Sequence, residues 1–205
     1  MTDERGALLP TLDRLFAGPR DQLLTIGAFV NGLEDRSYAF VVAALNVPNC
    51  VPTGIPLLST ITGVPMLLLV AQYFMGRQTP TLPAIVARRG LPRGKLQDFL
   101  QGRTRRVIER LENAIHPRRG WWVSGTPRKL LLVAWALLIL VLALPIPFDN
   151  MIPAWAIMFF CMALIERDGL MAVLGWLFTL LTTAWTIFLL TVGIAMVRAL
   201  LSAVF

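Results

Sequence analysis

The sequence has 205 residues and a formal net charge of +7 at pH 7, yet only 15% of its residues are charged. Hydrophobic residues make up 56% of the chain, and the mean hydropathy is +0.67. This composition excludes an ordinary soluble domain and indicates an integral membrane protein, because a bilayer requires long uncharged apolar stretches.

The N-terminal segment, 1–36, is predicted to contain an amphipathic helix. The dipeptide Gly18-Pro19 is a suitable helix start. Apolar residues then recur at roughly helical spacing, namely Leu23, Leu24, Ile26, Phe29, Val30 and Leu33. The helix is too short to span a bilayer, so we expect it to lie along the membrane surface or to cover the bundle.

The next segment, 37–76, contains no Asp, Glu, Lys or Arg, but the stretch "LNVPNCVPTGIP" at 45–56 interrupts it with three prolines. Proline lacks the backbone N–H that a helix interior needs. The eleven residues before the first proline would make a helix of about 16 Å, half of a ~30 Å hydrocarbon core. The pattern predicts a first broken hairpin, which is either re-entrant or fully spanning.

Residues 77–129 form a basic loop with thirteen basic and three acidic residues. By the positive-inside rule, this loop is cytoplasmic. It contains a second predicted amphipathic helix, at 95–116, whose arginines are expected to bind anionic lipid headgroups: Arg103, Arg105, Arg106 and Arg110. The alternative is a helix packed on a soluble partner. Nucleic acid is not an expected partner, because the basic residues form no known nucleic-acid motif.

A second broken hairpin is predicted at 130–165. Its break, "LALPIPFDNMIP" at 142–153, matches the first one at an offset of 97 residues, with the shared pattern L-x-x-P-x6-I-P. Both breaks follow a short apolar run and precede another. The match predicts an internal repeat. Paired proline-interrupted segments in two halves of a chain point to a transporter-type site.

The last segment, 166–205, begins with a polar turn and continues as an apolar run. That run is long enough for one tilted span with a tail or for a tight hairpin of two. The predicted fold is therefore an all-α integral membrane protein with two repeated proline-broken hairpins, amphipathic interfacial helices and a C-terminal transmembrane segment.

Polar residues within the breaks and in the polar turn are the candidate substrate-binding residues: Asn46, Asn49, Asp149, Asn150, Glu166, Arg167 and Asp168. Ionisable groups near a membrane are costly and often functional, and Asp149 is the strongest candidate for an intramembrane carboxylate. No catalytic constellation is visible, so an enzyme is not expected, and neither is a cofactor. With a single histidine, the chain has no metal-ligand pattern. Cys50 and Cys161 are predicted to be free packing thiols.

Several motifs resemble those of the ExoD family of bacterial exopolysaccharide-synthesis membrane proteins. These are Asp35-Arg36-Ser37, Val47-Pro48-Asn49, "PIPFDN" at 145–150 and "ERDGL" at 166–170. The resemblance covers about residues 12–190. It departs from the family where an aliphatic tract after Pro-Asn is replaced by Cys50-Val51.

The resemblance implies a multi-pass protein of the bacterial inner (cytoplasmic) membrane that takes part in exopolysaccharide synthesis. It implies no catalytic residues. Together with the breaks, it leads us to expect binding or movement of an anionic or lipid-linked glycan, with membrane lipids as further partners and a homodimer as the oligomer. The alternative is a non-catalytic membrane scaffold that recruits polysaccharide-synthesis enzymes.

Overall fold

The computed structural model describes residues 8–52, 57–101, 104–106, 108–109, 125–144 and 150–204. The described chain is predominantly helical, and it divides into a small module and a helix bundle. The module is built from the N-terminal segment and part of the basic loop, whereas the bundle is built from the long apolar segments.

The module contains short helices and a two-stranded sheet. Its elements are α1 (Leu8–Phe16), β1 (Leu23–Thr25), α2 (Ile26–Gly32), α5 (Ala84–Ala87), β2 (Gly90–Pro92) and α6 (Arg93–Leu100). The strands are antiparallel, and Leu24 lies opposite Leu91. A small core of buried side chains joins α1, β1 and α6: Leu9, Leu12, Phe16, Leu24 and Leu100.

The sheet corrects the all-α prediction, and it also corrects the predicted N-terminal helix. Residues Leu23–Thr25 are extended and pair with Gly90–Pro92, so the helix begins only at Ile26. Thr25 accepts a hydrogen bond from the backbone N–H of Ala28 and caps the helix, which explains this start. Helix α1 was not predicted from the sequence, although its apolar residues recur at helical spacing.

The predicted continuous helix at 95–116 is also corrected, because α6 ends at Leu100. Gln101 has an extended backbone with ψ of 153°, and the chain therefore leaves the helical path there. Arg93 and Gln97 hold α6 against the N-terminal segment, since their side chains donate to main-chain carbonyl oxygens between Leu15 and Gly18.

The bundle consists of five helices within the described ranges: α3 (Ser37–Asn46), α4 (Leu58–Phe74), α7 (Gly125–Ala143), α8 (Met151–Glu166) and α9 (Gly169–Val204). Helix α3 packs on α4 and α8, and α7 packs on α4 and α8. Trp135 and Phe160 are the largest fully buried side chains of the core. The first pair of helices therefore contacts the second through two matching interfaces.

Both predicted breaks coincide with gaps between helices. Helix α3 ends at Asn46 and passes into a 3-10 turn, Val47–Cys50, while α4 starts at Leu58. Helix α7 ends at Ala143 and α8 starts at Met151. The centres of both breaks, 53–56 and 145–149, lie outside the described residues, and Asp149 is among them.

We call the two ends of the bundle the break end and the loop end. The break end carries Asn46 and the start of α8, and the loop end carries the start of α3 and the end of α8. These ends are opposite because α3 and α8 are antiparallel, with Asn46 beside Ala154. Helix α8 has 16 residues, so the ends are about 24 Å apart.

The C-terminal segment is one continuous helix, α9, rather than a hairpin of two. It has 36 residues, or about 54 Å. It runs antiparallel to α8, since the rings of Phe159 and Phe178 lie 5.1 Å apart and those of Phe160 and Trp176 lie 5.7 Å apart. In this register, α9 lies alongside α8 from its start to about residue 186, and the remainder of α9 extends past the break end.

Two helices of the described chain are long and apolar enough to cross a membrane. Their apolar windows are Thr126–Ala143 and Gly169–Met196, with mean hydropathies of 1.8 and 1.9. Helices α4 and α8 are also apolar but shorter.

Candidate functional site

Asn46 is the central polar residue of the break end. Its side chain is fully buried, and its Nδ2 donates a 2.7 Å hydrogen bond to the main-chain oxygen of Ala154 in the first turn of α8. This contact assigns the amide orientation, because a flipped amide would place two oxygens against each other. Asn46 Oδ1 is then a buried acceptor without a hydrogen-bond partner.

The sequence places Asn46 here because α3 cannot continue. Pro48 has no N–H to donate to the carbonyl of Ala44, and the chain tightens into the 3-10 turn at Val47–Cys50. A buried polar group that lacks a partner costs about 1–3 kcal/mol in mutational data. The break end therefore retains an acceptor that the described chain does not use.

Cys50 lies one turn after Asn46 and closes the same contact. Its Sγ is 3.8 Å from the oxygen of Ala154 and 3.7 Å from the main-chain oxygen of Asn46, distances suited to weak thiol hydrogen bonds. Cys50 and Cys161 are both free, which confirms the prediction of free thiols. The contact between Cys50 and Asn46 was not predicted from the sequence, although their four-residue spacing was the available signal.

Asn49 ties the 3-10 turn to α4. Its Nδ2 donates a 2.8 Å hydrogen bond to Thr62 Oγ1, and that hydroxyl donates to the main-chain oxygen of Leu58 at 3.0 Å. Asn49 is buried and therefore holds the two arms of the first hairpin together. Thr62 was missed by the sequence analysis, because nothing in its local sequence distinguishes it from other helical threonines.

Asn150 is the residue immediately before α8. Its main-chain oxygen accepts a hydrogen bond from Ala154 N at 3.2 Å, which begins the helix. Its side-chain Oδ1 is buried without a partner, as Asn46 Oδ1 is. Both free atoms belong to residues that contact Ala154, so two unused amide oxygens occur at the same end of the bundle.

The polar turn at 166–168 lies at the loop end and is therefore separated from Asn46 by the length of α8. Arg167 adopts a left-handed conformation with φ of 53°, which ends α8. Asp168 is fully buried, and its Oδ1 accepts a 2.7 Å hydrogen bond from Leu170 N, as a helix N-cap does. The seven candidate substrate-binding residues thus do not converge on one place.

The predicted headgroup-binding arginines are only partly described, since Arg103 and Arg110 lie outside the described residues. Arg105 contacts Glu109 at 3.0 Å and Asp13 at 3.4 Å. The hydrogen bond with Glu109, followed by the charge of Asp13, raises the pKa of Arg105. Arg106 is exposed. Arg105 is therefore engaged by carboxylates of the chain itself.

These features define a class: a predominantly helical protein with two candidate membrane-spanning helices and a buried polar cluster at one end of its bundle. Among the residues that the structure describes, no three His, Cys, Asp or Glu side chains are grouped so that they could hold a metal ion.

The family is identified by sequence comparison. The model of the family described as "Exopolysaccharide synthesis, ExoD" matches residues 8–188, and the chain belongs to this family. The resemblance noted from the motifs is thereby confirmed. Since the matched region includes α3, α4, α7 and α8, the break end is part of the region that the family model matches.

Two relatives match over most of their length. "Protein ExoD" of Rhizobium meliloti (strain 1021) is 26% identical over 187 residues, which are 89% of this chain and 77% of the relative. "Uncharacterized protein slr1875" of Synechocystis sp. (strain ATCC 27184 / PCC 6803 / Kazusa) is 26% identical over 170 residues, which are 82% of this chain and 80% of the relative. No solved structure matches the chain with comparable significance.

Proposed function

We propose that this chain is a multi-pass protein of the bacterial inner membrane that serves exopolysaccharide synthesis by binding or moving a lipid-linked glycan at the break end. The family supplies the link to exopolysaccharide synthesis. The single observation that carries the ligand site is the fully buried Asn46, whose Oδ1 has no partner.

The chemistry of the break end suits sugar hydroxyl groups. Each hydroxyl has an O–H donor, and the unused groups of Asn46 and Asn150 are acceptors. A glycan that entered would satisfy both amide oxygens, whereas an acyl chain would leave them unpaired. Asp149 precedes Asn150 in the chain and would add a charged acceptor. We assign it a role in selecting the polar part of the ligand.

The length of α9 supports a location of the break end within the membrane. Residues 187–204 extend past the break end for about 27 Å, and they include only one charged residue, Arg198. Every described side chain at 190–202 is exposed within the chain. If the break end reached the far membrane surface, this apolar extension would stand in water.

Burying one large aliphatic or aromatic side chain contributes about 1.5–3 kcal/mol, so an extension of this composition must be covered by lipid or by a second copy of the chain. Cover by lipid, or by a second copy that is itself embedded, keeps the extension at membrane depth. The break end, which precedes it along α9, then lies below the far surface. This favours re-entrant hairpins over full hairpins, and Asn46 would then be in a medium of low dielectric constant.

The packing of the helices supports the internal repeat. The proposed repeat relates α3 to α7 and α4 to α8. A contact between α3 and α8 should therefore have a counterpart between α7 and α4, and both contacts exist. The repeated L-x-x-P-x6-I-P pattern falls on the two breaks that this exchange relates. We propose that the halves form a pseudo-symmetric pair with the ligand site between the breaks, as in transporters with discontinuous helices.

The experiment replaces Asn46 by Leu, which has a similar volume and no acceptor. We expect loss of exopolysaccharide output in a strain that depends on this chain, together with normal membrane expression and unchanged thermal unfolding. Stability is retained because Leu removes the unpaired oxygen along with the hydrogen bond to Ala154. The matched control is Asn31→Leu on the exposed face of α2, which should leave output unchanged.

Full output from Asn46→Leu would contradict the proposed site. If Arg106→Glu then abolished output while Asn46→Leu and Asp149→Asn did not, the alternative role of a scaffold that recruits polysaccharide-synthesis enzymes would replace it. Arg106 suits this comparison because its side chain is exposed, so a charge reversal there alters a surface and not the core.

A further inference from the structure

An exposed apolar edge with two arginines lies on the module, away from the break end. We call it the α5 edge and define it by the residues Ile85, Val86, Arg88, Arg89 and Leu91. Ile85 is 77% exposed, Leu91 52% and Val86 41%, which is unusual for aliphatic side chains on a small folded unit. Arg88 and Arg89 are exposed between these apolar residues.

The fold holds the α5 edge against a distant part of the chain. In the β1–β2 pairing Leu91 lies opposite Leu24, and the main-chain N–H of Ile26 donates a 2.8 Å hydrogen bond to the oxygen of Arg89. Helix α2 packs on α5 because Gly27 allows a close approach: a Cβ at Gly27 would lie 3.2 Å from the oxygen of Ala87. The edge is thus held in place by β1 and α2.

Contacts with the bundle place the α5 edge at the level of the loop end. The ring of Phe29 on α2 meets the ring of Phe40, in the first turn of α3, at 5.4 Å. Just before α5, the main-chain oxygen of Thr79 accepts a 3.1 Å hydrogen bond from Tyr38 Oη, and Leu82 packs on the bundle core. Helix α5 therefore starts beside the helix ends.

We propose that the α5 edge docks into the headgroup layer of the cytoplasmic membrane leaflet, with anionic phospholipid as its ligand. The aliphatic side chains enter the boundary between headgroups and acyl chains, and the two guanidinium groups bind lipid phosphates. Arg20 pairs with Asp98 and Arg105 with Asp13 and Glu109, whereas no ion pair among the described residues uses Arg88 or Arg89. This site is independent of the proposed glycan site.

The positive charge of the α5 edge and its position at the loop end both favour lipid as the occupant. Interfacial segments combine apolar residues with Lys or Arg, and this edge has two arginines and no carboxylate. It also lies where the bundle helices would emerge from the bilayer. Arg105, by contrast, is paired with Glu109 and Asp13, so it is less available to a lipid phosphate than Arg88 and Arg89.

The experiment measures the depth of residue 85 in the full-length protein. Ile85→Cys is made in a Cys50→Ala, Cys161→Ala background, labelled with an environment-sensitive fluorophore, and placed in nanodiscs of phosphatidylcholine with or without phosphatidylglycerol. We expect a blue-shifted label, protected from a water-soluble quencher, with phosphatidylglycerol present. The matched control is Gln101→Cys, an exposed site outside the edge, which should remain accessible to the quencher.

The arginines are tested by Arg88→Gln with Arg89→Gln. Each basic residue near an anionic surface contributes about a fivefold factor, so the docking equilibrium should fall about 30-fold. Arg14→Gln with Lys95→Gln removes the same charge elsewhere on the module and should have little effect. The Gln pair is also made with wild-type cysteines, where normal expression and thermal unfolding show that the module still folds.

Three results would overturn the proposal. In the first result, the label at residue 85 would be as accessible to the quencher as the label at residue 101 in all nanodiscs. In the second result, its protection from the quencher would be the same with and without phosphatidylglycerol. In the third result, protection would persist in detergent and depend on protein concentration, which identifies a protein partner in place of lipid. Loss of exopolysaccharide output by Asn46→Leu is a separate readout, so failure of either proposal leaves the other intact.

Discussion

The two ends of the bundle treat their polar groups differently. At the loop end, Tyr38 Oη donates to the oxygen of Thr79 at 3.1 Å, Arg128 donates to Tyr73 Oη at 2.9 Å, and Asp168 caps α9 through its Oδ1. Asp168 Oδ2 and Arg128 Nε are both buried there without a partner, but Asp168 is at a helix N-terminus, where the helix dipole favours negative charge, and Arg128 is engaged through its Nη2. These bonds connect neighbouring segments and hold the helix ends in place.

At the break end, the two amide oxygens of Asn46 and Asn150 remain unused, although both are buried. Polar groups in a folded protein are normally paired, and exceptions tend to occur where a ligand or a water completes the structure. The comparison teaches that the loop end is organised for attachment of the helices. The break end retains two unused acceptors, and the following predictions test this division from the largest expected effect to the smallest.

The largest effect is expected from Gly63→Val, near the break end. A Cβ on Gly63 would lie 2.8 Å from the Cβ and 2.9 Å from the Cα of Ala143, so α4 and α7 would have to separate. Overpacking of this kind destabilises by about 1–3 kcal/mol. The thermal unfolding temperature of the purified protein in detergent should fall accordingly, and α4 and α7 should lose their close contact.

Gly193→Val is the control for that substitution, because nothing lies within 4 Å of a Cβ at Gly193. Its unfolding temperature should stay the same. An equal loss of stability in both variants would mean that helix propensity, and not the contact with Ala143, explains the result at Gly63.

At the loop end, Asp168→Ala should lower the free energy of unfolding by about 1 kcal/mol, as loss of an N-cap does. Asp168→Asn keeps an oxygen that can accept from Leu170 N and should recover most of the stability. Both variants are compared by thermal unfolding and by exopolysaccharide output. If Asp168 only attaches helices, output should follow the amount of folded protein; output lost at full expression would assign a functional role to the loop end.

Tyr73→Phe should have a smaller effect, about 0.5–1.5 kcal/mol, because it removes one hydrogen bond from Arg128 and keeps the ring contact with Tyr38 at 5.2 Å. The measurement is again thermal unfolding. A combined Tyr73→Phe, Asp168→Ala variant should show roughly additive losses if the two bonds act independently. Strong coupling would instead indicate that the loop end opens as one cooperative unit.

The smallest effect is expected from Arg105→Ala, which removes exposed ion pairs with Asp13 and Glu109. Exposed ion pairs contribute little because water and salt screen them. The unfolding temperature of Arg105→Ala should therefore match that of Arg106→Ala. A clear loss of stability in Arg105→Ala alone would show that the attachment of the module depends on this arginine. The module would then contribute to attachment together with the loop end.

Local sequence was enough to locate the interruptions of the helices. Three prolines between 45 and 56 and three between 142 and 153 remove backbone donors, and α3 and α7 end just where those stretches begin. The two helices that are long and apolar enough to cross a membrane follow from composition in the same way. The β1 strand was predicted to be helical, because its pairing with residues almost seventy positions away leaves no local pattern in three residues.

The candidate site shows the same limit. Asn46 and Asn150 were predicted from their polarity within apolar breaks, and the structure places both beside Ala154. Glu166, Arg167 and Asp168 were predicted on the same grounds, but they lie at the opposite end of α8. Polarity within an apolar sequence identifies a group that needs a partner, and it contains no information about which end of a bundle that group occupies.

The sequence by itself determined the family, the apolar segments and the positions of the breaks, since these depend on composition and on the missing N–H groups of proline. Only the tertiary structure decided which amide oxygens are unused, that Arg105 is paired within the chain, and that α9 passes the break end as one helix. The physical reason is that pairing and burial depend on residues distant in sequence: Asn46 is buried because α8, more than a hundred residues later, covers it.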